Sequence, residues 1–463
     1  MTGDILERHE RLSYADKIIM APMVRIGTLP MRLLALEYGA DIVYTEELID
    51  WKLLRSTRKV NDVLKTIDYI DKTDGTIIFR TSPLERSKVV LQLGTSDAKR
   101  ALTVAKLVEN DVAGIDINMG CPKKFSILGG MGAALLKQPE KAAGILKTLV
   151  DGLSIPVTCK VRVFEDVEKS IELCKKLAAT GISAIAVHGR TPDERPQHRN
   201  RNETLKTICA SMDIPVIANG GSKEIEKYKD ILQFKKDTGC SSVMIARAAE
   251  WNCSIFRSAG LLPIDEVIKS YLKLACDYDN SPSNTKYCIQ NILRELQETP
   301  LGKRFLDTQT LEQICELWDM GDYCRAKAKE FSSLGYTGRF DVVPERLSQL
   351  GGGAAKRKLE EEAGDVLLMR CKFIRNSYPD DQSLPKSQLN KWTRENRKKL
   401  PSYTSINEDK LFRAIVVVDG KKYGSTFWEK SKKWAEQGAA LVGLCALGVI
   451  DEATLTNDGN LLS

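Results

Sequence analysis

The residues best set up for chemistry surround Cys121, in the run AGIDINMGCPKKFSILGGMGAALL over 113–136. Ile115 and Ile117 begin it as a short apolar strand, which ends in Asn118, Met119, Gly120, Cys121 and Pro122. Lys123, Lys124 and the glycines 129, 130 and 132 follow. Structural cysteines usually sit inside a strand or helix among apolar neighbours. A thiol just past a strand, ahead of a basic, glycine-containing loop, is placed instead to meet a ligand. Its ordinary pKa of about 8.5 leaves it mostly protonated at neutral pH, so it can donate a proton. A nucleophilic thiol would need a base, and none stands at a telling spacing.

Such a loop needs a scaffold, and the chain supplies one. From Lys17 onward, apolar runs at 18–23, 42–45, 89–93, 114–118, 157–161, 184–188, 216–219 and 243–246 read as strands. Amphipathic stretches such as 98–109, 139–149, 167–178 and 224–235 lie between them. Eight strands alternating with helices predict an α/β fold, a (β/α)8 TIM barrel over residues 1–254. An open doubly wound sheet is the competing layout, but its G-x-G-x-x-G after the first strand is absent. The strands end in turn at Pro22 and Met23, Glu46 and Glu47, Gln92, Asn118 with Cys121, Lys160 with Arg162, His188 with Arg190, Asn219-Gly220-Gly221, and Arg247. Polar residues gathered at the strands' C-terminal ends are how a barrel active site reads in sequence.

The seventh and eighth strand ends point to a phosphate. Gly220 and Gly221 would let backbone N–H groups approach an anion, and Arg247 would add a guanidinium. With the Gln92 amide, the Lys160 ammonium and His188, this set fits flavin mononucleotide (FMN). Gln92 would bond the ring edge, and Lys160 would stabilise negative charge on the reduced ring.

These motifs are APM at 21–23, GIDINMGCPKK at 114–124, CKVR at 159–162, VHGR at 187–190, IANGG at 217–221 and IARAA at 245–249. In this order they resemble the tRNA-dihydrouridine synthases, flavoenzymes that reduce a uridine C5–C6 bond in tRNA. The resemblance implies a flavin barrel followed by a helical domain, with NADPH reducing FMN, hydride passing to C6 and Cys121 protonating C5. It implies that Pro22, Met23, Val24, Gln92, Lys160, His188, Asn219, Gly220, Gly221, Ala246 and Arg247 hold the cofactor. Asn118 and Arg190 would meet the substrate. Ala246 departs from the glycine common before this arginine in bacterial members.

Residues 255–342 read as the helical domain, with Lys286, Arg294 and Arg304 as candidate phosphate contacts. Residues 343–364 read as a flexible linker. The unit at 365–450 holds 16 Lys+Arg against 9 Asp+Glu, a concentration of positive charge that suits a polyanion. Its expected helix (385–399), hairpin (414–418 and 422–426 around Asp419-Gly420) and second helix (430–447) resemble an α-β-β-β-α double-stranded RNA-binding domain; 451–463 is a tail. Lys430, Lys432 and Lys433 at the second helix's start, with Arg370, Lys372 and Arg375, are its expected RNA contacts. Such a domain also allows protein partners. A barrel synthase fused to it resembles the class acting on the D-loop uridine numbered 20. A flavin reductase of free pyrimidines would explain the barrel but not the RNA-binding parts, and a non-catalytic RNA-binding protein would not need Cys121 and Lys160.

Twelve cysteines lack any CxxC pair and three histidines rule out HExxH, so reduced thiols and no metal site are expected. The absence of a signal or bilayer-length apolar run makes a cytoplasmic protein without a membrane partner the expectation. Removing 365–463 is expected to weaken tRNA binding strongly, read by titration, while visible absorbance shows the flavin still bound.

Overall fold

The computed structural model describes residues 12–73, 75–336, 366–378, 380–408, 411–429 and 431–462; the linker expected at 343–364, and Lys430, lie outside them. Compactness divides the chain into two units, one built on the barrel and its following helices, the other on the C-terminal sheet, with 281–283 and 307–314 grouping with the second.

All eight expected strands form. They are β1 (Ile18–Met20), β2 (Ile42–Tyr44), β3 (Val89–Gly94), β4 (Gly114–Met119), β5 (Val157–Arg162), β6 (Ala184–His188), β7 (Val216–Asn219) and β8 (Ser242–Ile245). Each pairs in parallel with its neighbours, and β1 pairs with both β2 and β8, so the sheet closes into a barrel. Side chains alternate in and out along a strand. Ile19, Ile42, Tyr44, Val90, Ala184, Ala186, Ile217 and Met244 face inward and pack together with Tyr14, which stops the lower end. Gly114 leaves room for that plug: a Cβ there would lie 2.7 Å from the Tyr14 hydroxyl. Outward apolar residues meet the surrounding helices, and this double burial is why the strands read as nearly continuous apolar runs. Asp97 and Asp166 cap two of those helices through bonds from Arg100 N and from Glu168 and Lys169 N.

An insertion between β2 and β3 was not legible as strands. It forms a three-stranded antiparallel sheet, Ser56–Asn61, Thr66–Asp71 and Ile77–Thr81. Polar residues interrupt its apolar alternation because several of its inward positions carry ion pairs. Arg80 grips both carboxylate oxygens of Asp68 at 2.6 and 2.7 Å and donates to the Tyr278 carbonyl. Nearby, the buried Arg32 donates to both oxygens of buried Glu85 (2.8 and 2.6 Å) and to the carbonyls of Gly27 and Arg80.

The helices after the barrel are Ile264–Asp277, Pro282–Leu293, Pro300–Asp307, Leu311–Glu316 and Gly321–Ser333. Leu311–Glu316 and Gly321–Ser333 are separate helices, broken where Asp319 adopts φ 57. Cys276, Cys315 and Cys324 bury their thiols within 4.8 Å of one another between these helices. Cys209 and Cys240 are paired as a disulfide, where the sequence argues for reduced thiols throughout.

The second unit carries helix Pro385–Glu395, strands Ser402–Glu408, Leu411–Val418 and Lys421–Ser425, and helix Lys432–Ala446. Asp419 (φ 51) and Gly420 (φ 80) both take the positive φ of a two-residue hairpin turn. Leu389, Ala435, Ala439, Ala440 and Leu444 pack on Val416, Val418 and Tyr423. An added strand, Val366–Met369, extends the sheet in parallel beside Lys421–Ser425. The tail is folded onto this unit through helix Glu452–Asn457, and Lys372 N bonds the Asn460 carbonyl.

Among the described residues, no helix is long and apolar enough to cross a membrane. Glu85→Ala leaves the Arg32 guanidinium buried without its counter-ion and is expected to cost about 3–5 kcal/mol, read as a drop in the midpoint of urea unfolding.

Candidate active site

Barrel parity brings the polar strand ends together. Gln92, Asp116 and Thr158 stand opposite one another in register on β3, β4 and β5, and Asn118 stands opposite Lys160. Asp116, absent from the candidates legible in sequence, is the centre of this layer. It is fully buried; its two oxygens accept from Gln92 Nε2 (2.8 Å) and Thr158 Oγ1 (2.7 Å). Burial still pushes its carboxyl up to about 6, against the lowering effect of those bonds. The signal that could have found it is an acid inside an otherwise apolar strand, GIDIN, where burial demands partners.

From Asp116 the bonds climb to the thiol. Gln92 Oε1 accepts from Asn118 Nδ2 (3.1 Å), and Asn118 Oδ1 accepts from the backbone N–H of both Gly120 and Cys121 (3.0 Å each). Asn118 therefore shapes the turn that presents Cys121, and its amide is engaged in doing so. Gln92 retains one N–H and one lone-pair direction for a ligand. Cys121 is half-buried, and burial, with the neighbouring Glu47 carboxyl, pushes its thiol up from the ordinary value. It is thereby held as a protonated S–H at neutral pH.

Lys160 and His188, at the C-terminal ends of β5 and β6, are partly buried. Burial first, then Arg162, lowers the Lys160 ammonium to about 8. His188 is held well below its ordinary value by burial and the cations Lys160, Arg162, Arg190 and Arg247, so it is neutral. Arg190 Nη1 lies 3.2 Å from His188 Nε2, which assigns the acceptor role to Nε2. Arg190 is itself buried: it donates to the carbonyls of Gly220 (2.8 Å) and His198 (2.8 Å), tying the loop after β6 to the seventh strand end.

Gly220 adopts φ 117, and a Cβ on it would lie 2.0 Å from Asn200 Oδ1. Gly221 is as tight, its Cβ meeting Ile225 and Phe234 below 3.0 Å. Asn219 uses its amide N–H on the Met244 carbonyl, joining β7 to β8. Ala246 precedes the short helix Arg247–Trp251, and the Arg247 guanidinium is half-buried and lowered by burial. Pro22 and Met23 are partly buried after β1, whereas Val24 is exposed. Close backbone, an ammonium and a guanidinium around one mouth form a donor set that fits a phosphorylated cofactor with a ring that gains negative charge.

The expected helical-domain cations are less uniform. Lys286 donates to the Leu306 carbonyl, Arg294 stacks on Trp251 with 4.3 Å to the ring centre, and Arg304 is exposed. In the second unit Lys372 pairs with Asp307, and Arg375 donates to the Tyr378 carbonyl and reaches Asp381. Lys432 and Lys433 stay exposed at the helix start, where Ser431 accepts from Trp434 N. The Arg370 carbonyl accepts from Leu462 N.

A closed parallel barrel with a protonated thiol turned toward its cation-lined mouth defines a barrel enzyme. The family model described as Dihydrouridine synthase (Dus) matches residues 19–299, and the chain belongs to that family. The double-stranded RNA binding motif matches 385–447. A Schizosaccharomyces pombe protein named tRNA-dihydrouridine(20) synthase [NAD(P)+] is 42% identical over 293 residues, 61% of this chain and 60% of its own length. A Saccharomyces cerevisiae protein of the same name is 37% identical over 305 residues, 61% of this chain and 78% of its own. A solved dsRBD domain of a tRNA-dihydrouridine(20) synthase is 44% identical, covering 18% of this chain and 89% of that one, with TM-score 0.17.

The pH dependence of stability follows from Asp116. An acid raised in the folded state contributes stability that is present below about pH 3.8 and lost as the pH climbs through about 6. Asp116→Asn keeps one acceptor for Gln92 and can donate to Thr158. Relative to wild type it is expected to gain about 3 kcal/mol between pH 3.8 and 7, measured by denaturant unfolding at each pH.

Proposed function

We propose that the protein reduces the C5–C6 double bond of a tRNA D-loop uridine, at position 20, to dihydrouridine. The carrying observation is the turn of Cys121, pinned by Asn118 at the mouth of a barrel whose residues match the dihydrouridine synthase family. The two relatives' names carry the same activity and the same position.

FMN would be held by the Gly220–Gly221 backbone, Arg247, Lys160, Gln92 and His188; when bound and reduced by NADPH, it supplies the hydride. The remaining steps belong to the chain. Lys160, its ammonium lowered by burial, would be placed to stabilise negative charge on the cofactor ring. His188, neutral, adds no further cation to the cluster. Cys121 holds a proton at Sγ and gives it to C5, where negative charge develops. A flat base must leave its stack to enter the barrel mouth. The second unit supports the approach of a folded RNA: Lys432 and Lys433 at a helix N-terminus offer cations where backbone N–H groups also favour phosphate.

Incubating unmodified tRNA with the protein and NADPH should yield dihydrouridine, measured by nucleoside mass spectrometry, with Cys121→Ala reduced by at least about a hundredfold. Absence of product from wild type with flavin bound would remove this reading. Lys432→Ala with Lys433→Ala should weaken tRNA binding and flatten its salt dependence by about two counterions, leaving flavin content unchanged.

A further inference from the structure

After the barrel the chain buries three thiols together, in a place the barrel chemistry does not use. Cys276 lies in the last turn of helix Ile264–Asp277, Cys315 in helix Leu311–Glu316 and Cys324 in the first turn of helix Gly321–Ser333. All three residues belong to the first compact unit, and all three are fully buried. Cys276 Sγ is 3.6 Å from Cys315 Sγ, and every pair of the three sulfurs lies within 4.8 Å. A tight turn sets this up. The Cys315 carbonyl accepts from Trp318 N (3.1 Å) and Met320 N (2.9 Å), Asp319 takes φ 57, and Cys324 is brought back beside Cys315.

A buried cysteine that only packs behaves as a small hydrophobe among apolar neighbours. Here each sulfur has two more beside it. A thiol is a weak donor and its sulfur a weak acceptor, so the trio gains little as a hydrogen-bonded set. As a ligand set its geometry is apt. A metal–sulfur bond of about 2.3 Å puts three ligating sulfurs about 3.8–4.0 Å apart, within the span of separations present here. Among the described residues, no imidazole or carboxylate joins the group. Thiolates alone select soft ions and pass over Mg(II) and Ca(II), which take oxygen. The sequence gives no hint of this set, because its members stand far apart and form no CxxC pair.

We propose that Cys276, Cys315 and Cys324 together bind one thiophilic d10 cation, Cu(I) or Zn(II), which cross-links the chain at these three points. Each S–H proton leaves to solvent as its sulfur–metal bond forms, and neither ion changes oxidation state. Three sulfurs complete the coordination of Cu(I), whereas Zn(II) takes a fourth ligand, a water. Because the sulfurs are sealed once the helices pack, the ion enters as this part of the chain folds. The site is independent of the reading of Cys121.

The test uses the full chain, produced with Cu(I) or with Zn(II) supplied and purified without oxygen in a phosphine reductant. Metal is counted by mass spectrometry of the desalted protein. About one ion per chain is expected, falling at least about tenfold in Cys276→Ser with Cys324→Ser, with circular dichroism as the check on folding. X-ray absorption at the metal edge of the wild type should show three sulfurs at about 2.3 Å, and this decides the matter alone if the variant does not fold. Retention of copper with three sulfurs only supports the three-coordinate site; retention of zinc with three sulfurs and one oxygen supports the four-coordinate one. Metal content no higher than the folded variant's with both ions, or a shell of nitrogen and oxygen, would overturn the site. So would a peptide linked through Cys276 and Cys315 in the reduced wild-type protein.

Discussion

A carboxyl buried at the centre of a closed barrel cannot be left without partners, and much of the site is built on meeting that demand. Asp116 faces inward because parity along β4 puts it there, between Gly114 and Asn118. Gln92 and Thr158 satisfy it from the two flanking strands. Gln92, so oriented, orients Asn118, and Asn118 shapes the turn that carries Cys121. One desolvated group thereby passes geometric order from the barrel interior to the Cys121 thiol. Because Oδ1 of Asn118 binds two successive N–H groups, the turn is held by charge-free bonds that salt does not screen.

Electrostatically, the mouth is lopsided. Lys160, Arg162, Arg190 and Arg247 crowd a neutral histidine, and burial lowers all four cations. A surplus of poorly solvated positive charge is unfavourable by itself and is relieved by an anion. Arg162 and Arg190 spend donors on the Gly120, Thr191, Gly220 and His198 carbonyls, so the positive charge is held in place by backbone rather than by carboxylates. Beside Lys160 and Arg162, the Cys121 thiol is pushed up by burial and by the Glu47 carboxyl.

The second unit solves a different problem. Its small residues, Ala435, Ala439 and Ala440, bring the last helix close to the sheet, and Glu436 and Gln437 tie that helix to the first through Lys386. With its inner face committed to packing, the helix presents its lysine-bearing start outward. The preceding segment and the tail, which in sequence lie outside the repeating α-β-β-β-α pattern, are held against it by backbone bonds.

By itself the sequence determined the eight strands, their closure into a barrel, the polar strand ends and the α-β-β-β-α unit. These depend on local periodicity and on residue type at a strand's end, and both are written along the chain. Only the tertiary structure decided which polar groups are spent. Asp116 meets its partners 24 and 42 residues away, and Arg190 meets the Gly220 carbonyl 30 away. In sequence, Arg190, Asn118 and Lys372 read as ligand contacts; in the fold each has a protein partner. The side sheet at 56–81 was hidden for a related reason, since its strands bury ion pairs where periodicity expects apolar residues. Hydrogen-bond partners across a closed barrel are set by strand register, and register is a property of the whole sheet that no single stretch of chain contains.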